Sequence, residues 1–249
     1  LNICDPGGRF PAPPAGWGEA GVPFAEGREV DMGDWREATT LEELFEAIKD
    51  CMACSLGRTR TNLVLGSGNP HAEIMFVGEA PGFHEDRQGI PFVGPAGQFL
   101  DQLLRSIGLQ RSQVYIANTL KCRPPENRDP LPEELSACTP YLFKQIEIIG
   151  PRIICTLGNH ATKTLLRTAS GISQLHGKLI RKGGLAYVPL FHPAAALHKP
   201  PLKTILVEDF QRLKEHLEAE RVRWETEKEA LEFEMRDGSE EGQEQLGLF

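Results

Sequence analysis

Apolar side chains recur along this chain in two alternating rhythms. Behind Thr40, the residues Leu41, Leu44, Phe45 and Ile48 fall three and four apart, which predicts an amphipathic helix with a hydroxyl cap. Glu73-Ile74-Met75-Phe76-Val77 is a short apolar run between turn residues and reads as a buried strand. Phe99, Leu100, Leu103, Leu104 and Ile107 then share one helical face, stopped by Gly108. Val114-Tyr115-Ile116-Ala117 is a second strand ending at Asn118, and Arg152-Ile153-Ile154-Cys155-Thr156-Leu157 a third. Between them, Pro124, Pro125, Pro130 and Pro132 bracket a loop, and a helix is expected over 133–149 with a kink or break at Pro140. A helix from Asn159 to Arg167, a fourth strand from Leu185 to Leu190 and a helix from about Lys203 complete the series.

Strand and helix alternate throughout, which predicts an α/β fold. The expectation is a single domain with a central, mainly parallel four-stranded sheet flanked by helices. Its span is residues 39–216. A Gly/Pro-rich lead-in covers 1–38, and 217–249 holds a charged helix followed by a flexible polar stretch at 237–242. The chain starts at Leu1, as a trimmed or incomplete N-terminus would. It shows neither a signal-peptide pattern nor an apolar run near the roughly 18 residues a membrane span needs.

The net charge of −8 argues at first against a polyanionic partner, but its distribution reverses that reading. Residues 1–50 carry 4 Lys/Arg against 11 Asp/Glu, and residues 205–249 carry 6 against 14. The central 51–204 carry 17 against 10. A basic centre between acidic ends fits a folded core that neutralises phosphates.

Six cysteines occur, at positions 4, 51, 54, 122, 138 and 155. Cys51-x-x-Cys54 brings two thiols close enough to grip one metal centre, and Cys138 and Cys155 add two more from a predicted helix and strand. Such a tetrad suits zinc or an iron–sulfur cluster, and spacing alone does not separate them. Ordinary burial accounts equally well for Cys138 and Cys155 at this stage.

Chemistry gathers at the carboxyl ends of the predicted strands, where open α/β sheets bind ligands. Gly78-Glu79-Ala80-Pro81-Gly82-Phe83-His84-Glu85-Asp86 places two carboxylates and glycine turns after the first strand. Gly89-Ile90-Pro91-Phe92-Val93-Gly94 follows it, Asn118 ends the second strand, and His192-Pro193 follows the fourth. Taken singly, each reads as an ordinary turn or packing residue. Together they make a site.

With these residues in place, the chain resembles the uracil-DNA glycosylase superfamily, and within it family 4, the iron–sulfur bacterial and archaeal branch. The resemblance covers roughly residues 45–215. It rests on GEAPGFHEDRQGIPFVGPAGQFL (Gly78–Leu100), NTLKCRPPENRDP (Asn118–Pro130), the cysteines and FHPAAAL (Phe191–Leu197). It implies a DNA-repair hydrolase that flips uracil out of DNA and cuts its N-glycosidic bond, leaving free uracil and an abasic site. By the same resemblance Cys51, Cys54, Cys138 and Cys155 hold a structural [4Fe–4S] cluster, with Cys122 outside the ligand set. Phe92 offers a stacking face, Asn118 reads the O4 and N3–H edge, and His192 donates toward O2. Amides at Gly78 and Ala80 assist. Some relatives carry an aspartate where this chain has Ala80, which leaves Glu79 to position the water and Glu85 to support it.

A cross-linking branch of the superfamily carries a basic, histidine-containing loop before the second helix; Thr119 to Pro132 contains no histidine. A non-catalytic, metal-stapled DNA-binding module is the remaining alternative. The chain is expected to act as a monomer in the cytoplasm, associated with the nucleoid. At the C-terminus, Gln245, Leu246, Leu248 and Phe249 resemble the short peptides that bind a bacterial sliding clamp, which makes the clamp an expected partner.

Overall fold

In the computed structural model, residues 34–244 are described, with side chains through residue 230. Most of the Gly/Pro-rich lead-in, Cys4 and the terminal Gln245, Leu246, Leu248 and Phe249 lie outside the described residues. Helix α1 (Leu41–Ile48) begins as its sequence predicts. Thr40 Oγ1 accepts the amide of Glu43 at 3.1 Å, and the Glu43 carboxylate accepts the amide of Thr40 at 3.2 Å. This reciprocal pair satisfies two amides that the first turn would leave open. Leu41, Leu44 and Ile48 are buried, whereas Phe45 stands at the helix margin.

The sheet has six strands: β1 (Ser67–Gly68), β2 (Ile74–Gly78), β3 (Tyr115–Asn118), β4 (Ile153–Leu157), β5 (Ile180–Lys182) and β6 (Leu185–Leu190). Their spatial order is β1-β3-β2-β4-β6-β5. The four strands expected from the sequence form its parallel centre. The expectation of a four-stranded sheet is corrected by β1 and β5, which pair antiparallel at the two edges. Both were hidden because they are two and three residues long and carry no apolar run. The turn from β5 into β6 is Gly183-Gly184, both at positive φ (58° and 78°), as tight hairpins favour.

Seven further helices follow: α2 (Phe83–Gln88), α3 (Pro95–Ser106), α4 (Pro132–Ile149), α5 (Asn159–Leu166), α6 (Ile172–Leu175), α7 (Pro193–His198) and α8 (Pro200–Glu244). Alternation along the strands sends Ile74, Phe76, Ile116, Ile153 and Cys155 to a core shared with α3, α7 and α8. Met75, Val77, Ala117 and Ile154 go to the other face, against α1, α4 and α5. Helix α4 passes unbroken through Pro140, because buried Tyr141, Leu142, Ile146 and Ile149 hold the turns that follow it. Helix α8 likewise runs through the 237–242 stretch expected to be flexible. Its many Glu, Arg, Lys, Leu and Ala residues favour helix strongly enough to carry Gly238 and Gly242.

From β2 the chain moves to β3 on one side and then crosses to β4 on the other. Strand order therefore reverses at β2, and the crevice above that reversal is where such sheets take ligands.

Candidate active site and cysteine cluster

Register assembles the crevice. Gly78 and Asn118 are direct partners across β2 and β3, and Leu157 and Leu190 are partners across β4 and β6. The backbone ladder continues past the strand ends, with the amides of Thr119 and Leu120 donating to the carbonyls of Gly78 and Glu79 at 2.9 Å each. Asn118 is thus held at the crevice floor with 1% of its surface exposed. Its Oδ1 is buried and has no hydrogen-bond partner among the described residues. A buried acceptor left open costs about 1–3 kcal/mol, so this one marks a place for an incoming donor.

Glycine at 78 is required by close approach. A Cβ there would stand 2.4 Å from Asn118 Oδ1 and 2.8 Å from the Phe92 ring. Phe92 itself sits at φ 53°, a left-handed conformation that costs an L-residue about 1 kcal/mol or more. Three groups hold it there. Glu85 Oε1 accepts the amides of Val93 and Gly94 at 2.9 Å each, and Arg111 donates to the carbonyls of Pro91 and Phe92. Gly97 leaves room, since a Cβ there would collide with the Phe92 carbonyl.

His192 lies beyond β6, its ring 5.6 Å from that of Phe92 and 29° from parallel. Its Nδ1 accepts the amide of Ala194 at 3.1 Å, so the neutral ring carries its proton on Nε2. Burial pushes its pKa down to about 4, against a smaller upward pull from Glu85. A neutral imidazole with a fixed N–H is therefore available across the ordinary pH range.

Glu79 is half-buried, and burial raises its carboxyl above the usual range. The His160 imidazole opposes that shift and Asp129 adds to it. His160 Nε2 lies 4.0 Å from Glu79 and 3.7 Å from Asp129. Neither His160 nor Asp129 was singled out from sequence, although His160 stands three residues beyond the end of a predicted strand. Glu85, by contrast, is already engaged with the Val93 and Gly94 amides. Ala80 is partly buried and packs toward the cluster of α1 and the loop after β3.

Sequence expectation fails at one cysteine. Cys155 is fully buried in the face of the sheet that packs on α3 and α8, beside Phe76. Cys51, Cys54 and Cys138 lie on the other side, between α1 and α4, and Cys122 lies with them. These four line one cavity together with Arg60, Lys121 and Tyr141. The reason is the two-residue repeat of β4: Cys155 shares its face with Ile153 and Leu157, so it is turned away from the other thiols. Cys122 and Cys138 are sixteen positions apart and Cys138 and Cys155 seventeen, so spacing alone did not separate the two pairs.

The cavity is provisioned for anionic sulfur. The Lys121 amide donates to Cys138 Sγ at 3.2 Å, the Ala53 amide to Cys51 Sγ at 3.5 Å, and Arg60 to Cys122 Sγ at 3.5 Å. Burial, against the smaller opposing pulls of Arg60 and Lys121 respectively, pushes Cys122 up to about 11 and Cys138 up to about 12. Lys121, fully buried, is pushed down to about 8 by burial, with the two thiols pulling the other way. Its Nζ donates to the Asn118 carbonyl at 2.7 Å and to Gln145 Oε1. Sequence reading missed this lysine, which links the cysteine cavity to the crevice floor.

Among the described residues, the group of three or more potential ligands with atoms mutually within 4.8 Å is Glu79, Asp129 and His160. The cysteine sulfurs are spread more widely. One zinc ion with bonds of about 2.3 Å would draw its sulfurs to about 3.8 Å apart.

Comparison with known proteins accords with this geometry. Residues 65–218 match the Uracil DNA glycosylase superfamily. The type-4 uracil-DNA glycosylase of Sulfurisphaera tokodaii is 49% identical over 185 residues, covering 71% of this chain and 84% of that protein. Those of Archaeoglobus fulgidus and Thermotoga maritima are each 44% identical over 184 residues. These matches cover 71% and 72% of this chain, and 92% and 96% of the relatives. A type-5 enzyme of Thermus thermophilus is 36% identical over a shorter 118 residues, 41% of this chain and 53% of that protein. With its crevice, its four gathered thiols and these relatives, the chain belongs to the uracil-DNA glycosylase superfamily and, within it, to the type-4 branch.

Proposed function

We propose that this protein removes uracil from DNA by hydrolysing its N-glycosidic bond. The observation that carries the reading is the open Asn118 Oδ1 on the crevice floor, facing the space that Gly78 leaves and flanked by Phe92 and His192. A base inside the duplex is out of reach, so the nucleotide turns out into the crevice at a cost of a few kcal/mol. Asn118 Oδ1 accepts N3–H of uracil while its Nδ2 donates to O4. Cytosine presents an acceptor at N3 and a donor at the exocyclic position, so it leaves both Asn118 groups mispaired and is rejected.

As the bond lengthens, the sugar gains positive and the base negative charge. His192 Nε2–H donates toward O2, where that charge develops, and fixed donors of this kind commonly supply the largest catalytic contribution. Phe92 packs on the base. Glu79 orients the water, its partly buried carboxylate directed by His160 and Asp129. Glu85 acts one step back by holding the Phe92 loop.

The four thiols that fit a [4Fe–4S] cluster are Cys51, Cys54, Cys122 and Cys138, with Cys155 replaced by Cys122 in the expected set. Their wide spacing, the amide donors, the buried Lys121 and the partly buried Arg60 support a multi-iron cluster over a single zinc ion. When bound, the cluster staples α1, α4 and the loop after β3 into one unit; it supplies no group to the crevice. Among the described residues, no helix is long and apolar enough to cross a membrane.

The test is release of free uracil, with an alkali-labile site left behind, from an oligonucleotide containing one deoxyuridine. Turnover supports the reading. A stable protein–DNA adduct or no release at all would contradict it.

A further inference from the structure

We propose that Phe83, Arg87 and Arg123 form a stacking subsite for the nucleotide next to the uracil on an unpaired strand. This rests on the glycosylase reading and adds a substrate form to it. Phe83 opens α2, one residue after Gly82 of the site loop, and is 47% exposed, the most exposed phenylalanine among the described side chains. An exposed ring adds little to the stability of the fold.

Two cations frame it. The guanidinium carbon of Arg87 lies 5.7 Å from the ring centroid, and that of Arg123 lies 5.3 Å away. His84 meets the ring edge at 5.5 Å. Among the described residues neither arginine has a carboxylate within ion-pair distance, although acidic residues outnumber basic ones in the whole chain. Arg123 is steadied by donating Nε to Asn127 Oδ1 at 2.7 Å, which leaves its terminal nitrogens for another acceptor.

The patch is continuous with the crevice from two directions. In the same first turn of α2, Glu85 holds the Val93 and Gly94 amides beside Phe92. A Cβ on Gly94 would lie 3.4 Å from His84. Arg123 extends from the loop that leaves Asn118. An aromatic face between phosphate-seeking cations, at the rim of a pocket that receives a turned-out base, suits one ligand: an unstacked base with its flanking phosphates. In a duplex the neighbouring base keeps its own stacking and pairing. The subsite therefore favours single-stranded DNA.

Single-turnover excision at varied concentrations of the cluster-loaded full chain separates half-saturation from maximal rate. Phe83→Ala should raise the half-saturating concentration on a uracil-containing single strand by about tenfold, with a smaller effect on the matched duplex. Phe83→Trp should restore it, and the added tryptophan emission should be quenched when the strand binds. Arg87→Gln and Arg123→Gln should each lower the slope of log affinity against log salt by about 0.7, whereas Phe83→Ala leaves that slope alone. Unchanged half-saturation in Phe83→Ala, or an equal loss on single strand and duplex, would overturn the proposal. If the wild type releases no uracil, the glycosylase reading fails. Quenching of Phe83→Trp by the same strand still decides the stacking, and its absence would overturn it.

Discussion

The crevice above the parallel strands and the cysteine lobe beside it place their side chains by different means. In the crevice, Gly78 and Asn118 are register partners, and backbone hydrogen bonds continue the pairing past both strand ends. His192 is set by the end of β6 and by one hydrogen bond that its ring accepts from the Ala194 amide. Strand ends set this arrangement. In the lobe, the thiols come from the turn after α1, the loop after β3 and the middle of α4, and no ladder joins them. Buried thiols, a buried lysine and an arginine aimed at sulfur make a stable set once the sulfurs carry negative charge on a metal cluster. The difference teaches that chemistry here belongs to backbone register, while the lobe gathers thiols that no ladder aligns and that fit a prosthetic group.

The largest effect that sharpens this contrast is expected at His192. His192→Ala should lower single-turnover uracil release by about 10²–10³-fold, as loss of one aimed donor does elsewhere, while visible absorption and melting temperature stay near wild type. A rate within threefold of wild type would remove the assigned role.

The lobe is broken by a paired substitution. Cys122→Ser should lose iron and visible absorption on purification and melt well below wild type. Cys155→Ala should keep both and cost only about 1 kcal/mol, the scale of a small core deletion. Iron retained in Cys122→Ser and lost in Cys155→Ala would restore the set first expected from the sequence.

Lys121 tests a direct bridge between the regions. Lys121→Met leaves the Asn118 carbonyl and Gln145 without their buried donor, so a loss of about 1–3 kcal/mol is expected in denaturant unfolding. The same variant should shed iron faster, because a positive charge facing the thiols is gone.

Most of the crevice was legible from sequence because its parts sit where apolar runs stop. Gly78, Asn118 and His192 each end or follow a strand that hydrophobic pattern alone locates. The edge strands were not legible, since Ser67-Gly68 and Ile180-Arg181-Lys182 carry no run to detect. Cys155 was misread for a related reason: strand membership was visible, but which face of the sheet meets the lobe is a property of packing. Lys121 left no signal at all, because a lysine beside a cysteine in a proline-rich segment reads as exposed. Phe92 was found, but its left-handed backbone and the Glu85 clamp that holds it emerge only in three dimensions.

The smallest effect is a pH dependence that again separates the two regions. The unfolded chain protonates His192 near its ordinary value of 6.5, and the folded protein only near about 4. More protons are therefore bound by the unfolded state between these values, so the His192 contribution to stability is full above about 6.5 and is lost as pH falls toward about 4. The rate per folded molecule should show no histidine limb near pH 6.5. Its acid limb should instead follow Glu79, displaced upward by burial, and should vanish in Glu79→Gln.

The central claim is that strand register places a uracil-reading amide at the floor of the crevice. Single-turnover release of uracil by Asn118→Ala, measured beside the wild type with melting temperature and iron content as controls, tests it most directly. The account predicts a fall of two or more orders of magnitude, about 3 kcal/mol or more of transition-state stabilisation, with both controls unchanged. Release at the wild-type rate by a folded, iron-loaded Asn118→Ala would contradict it.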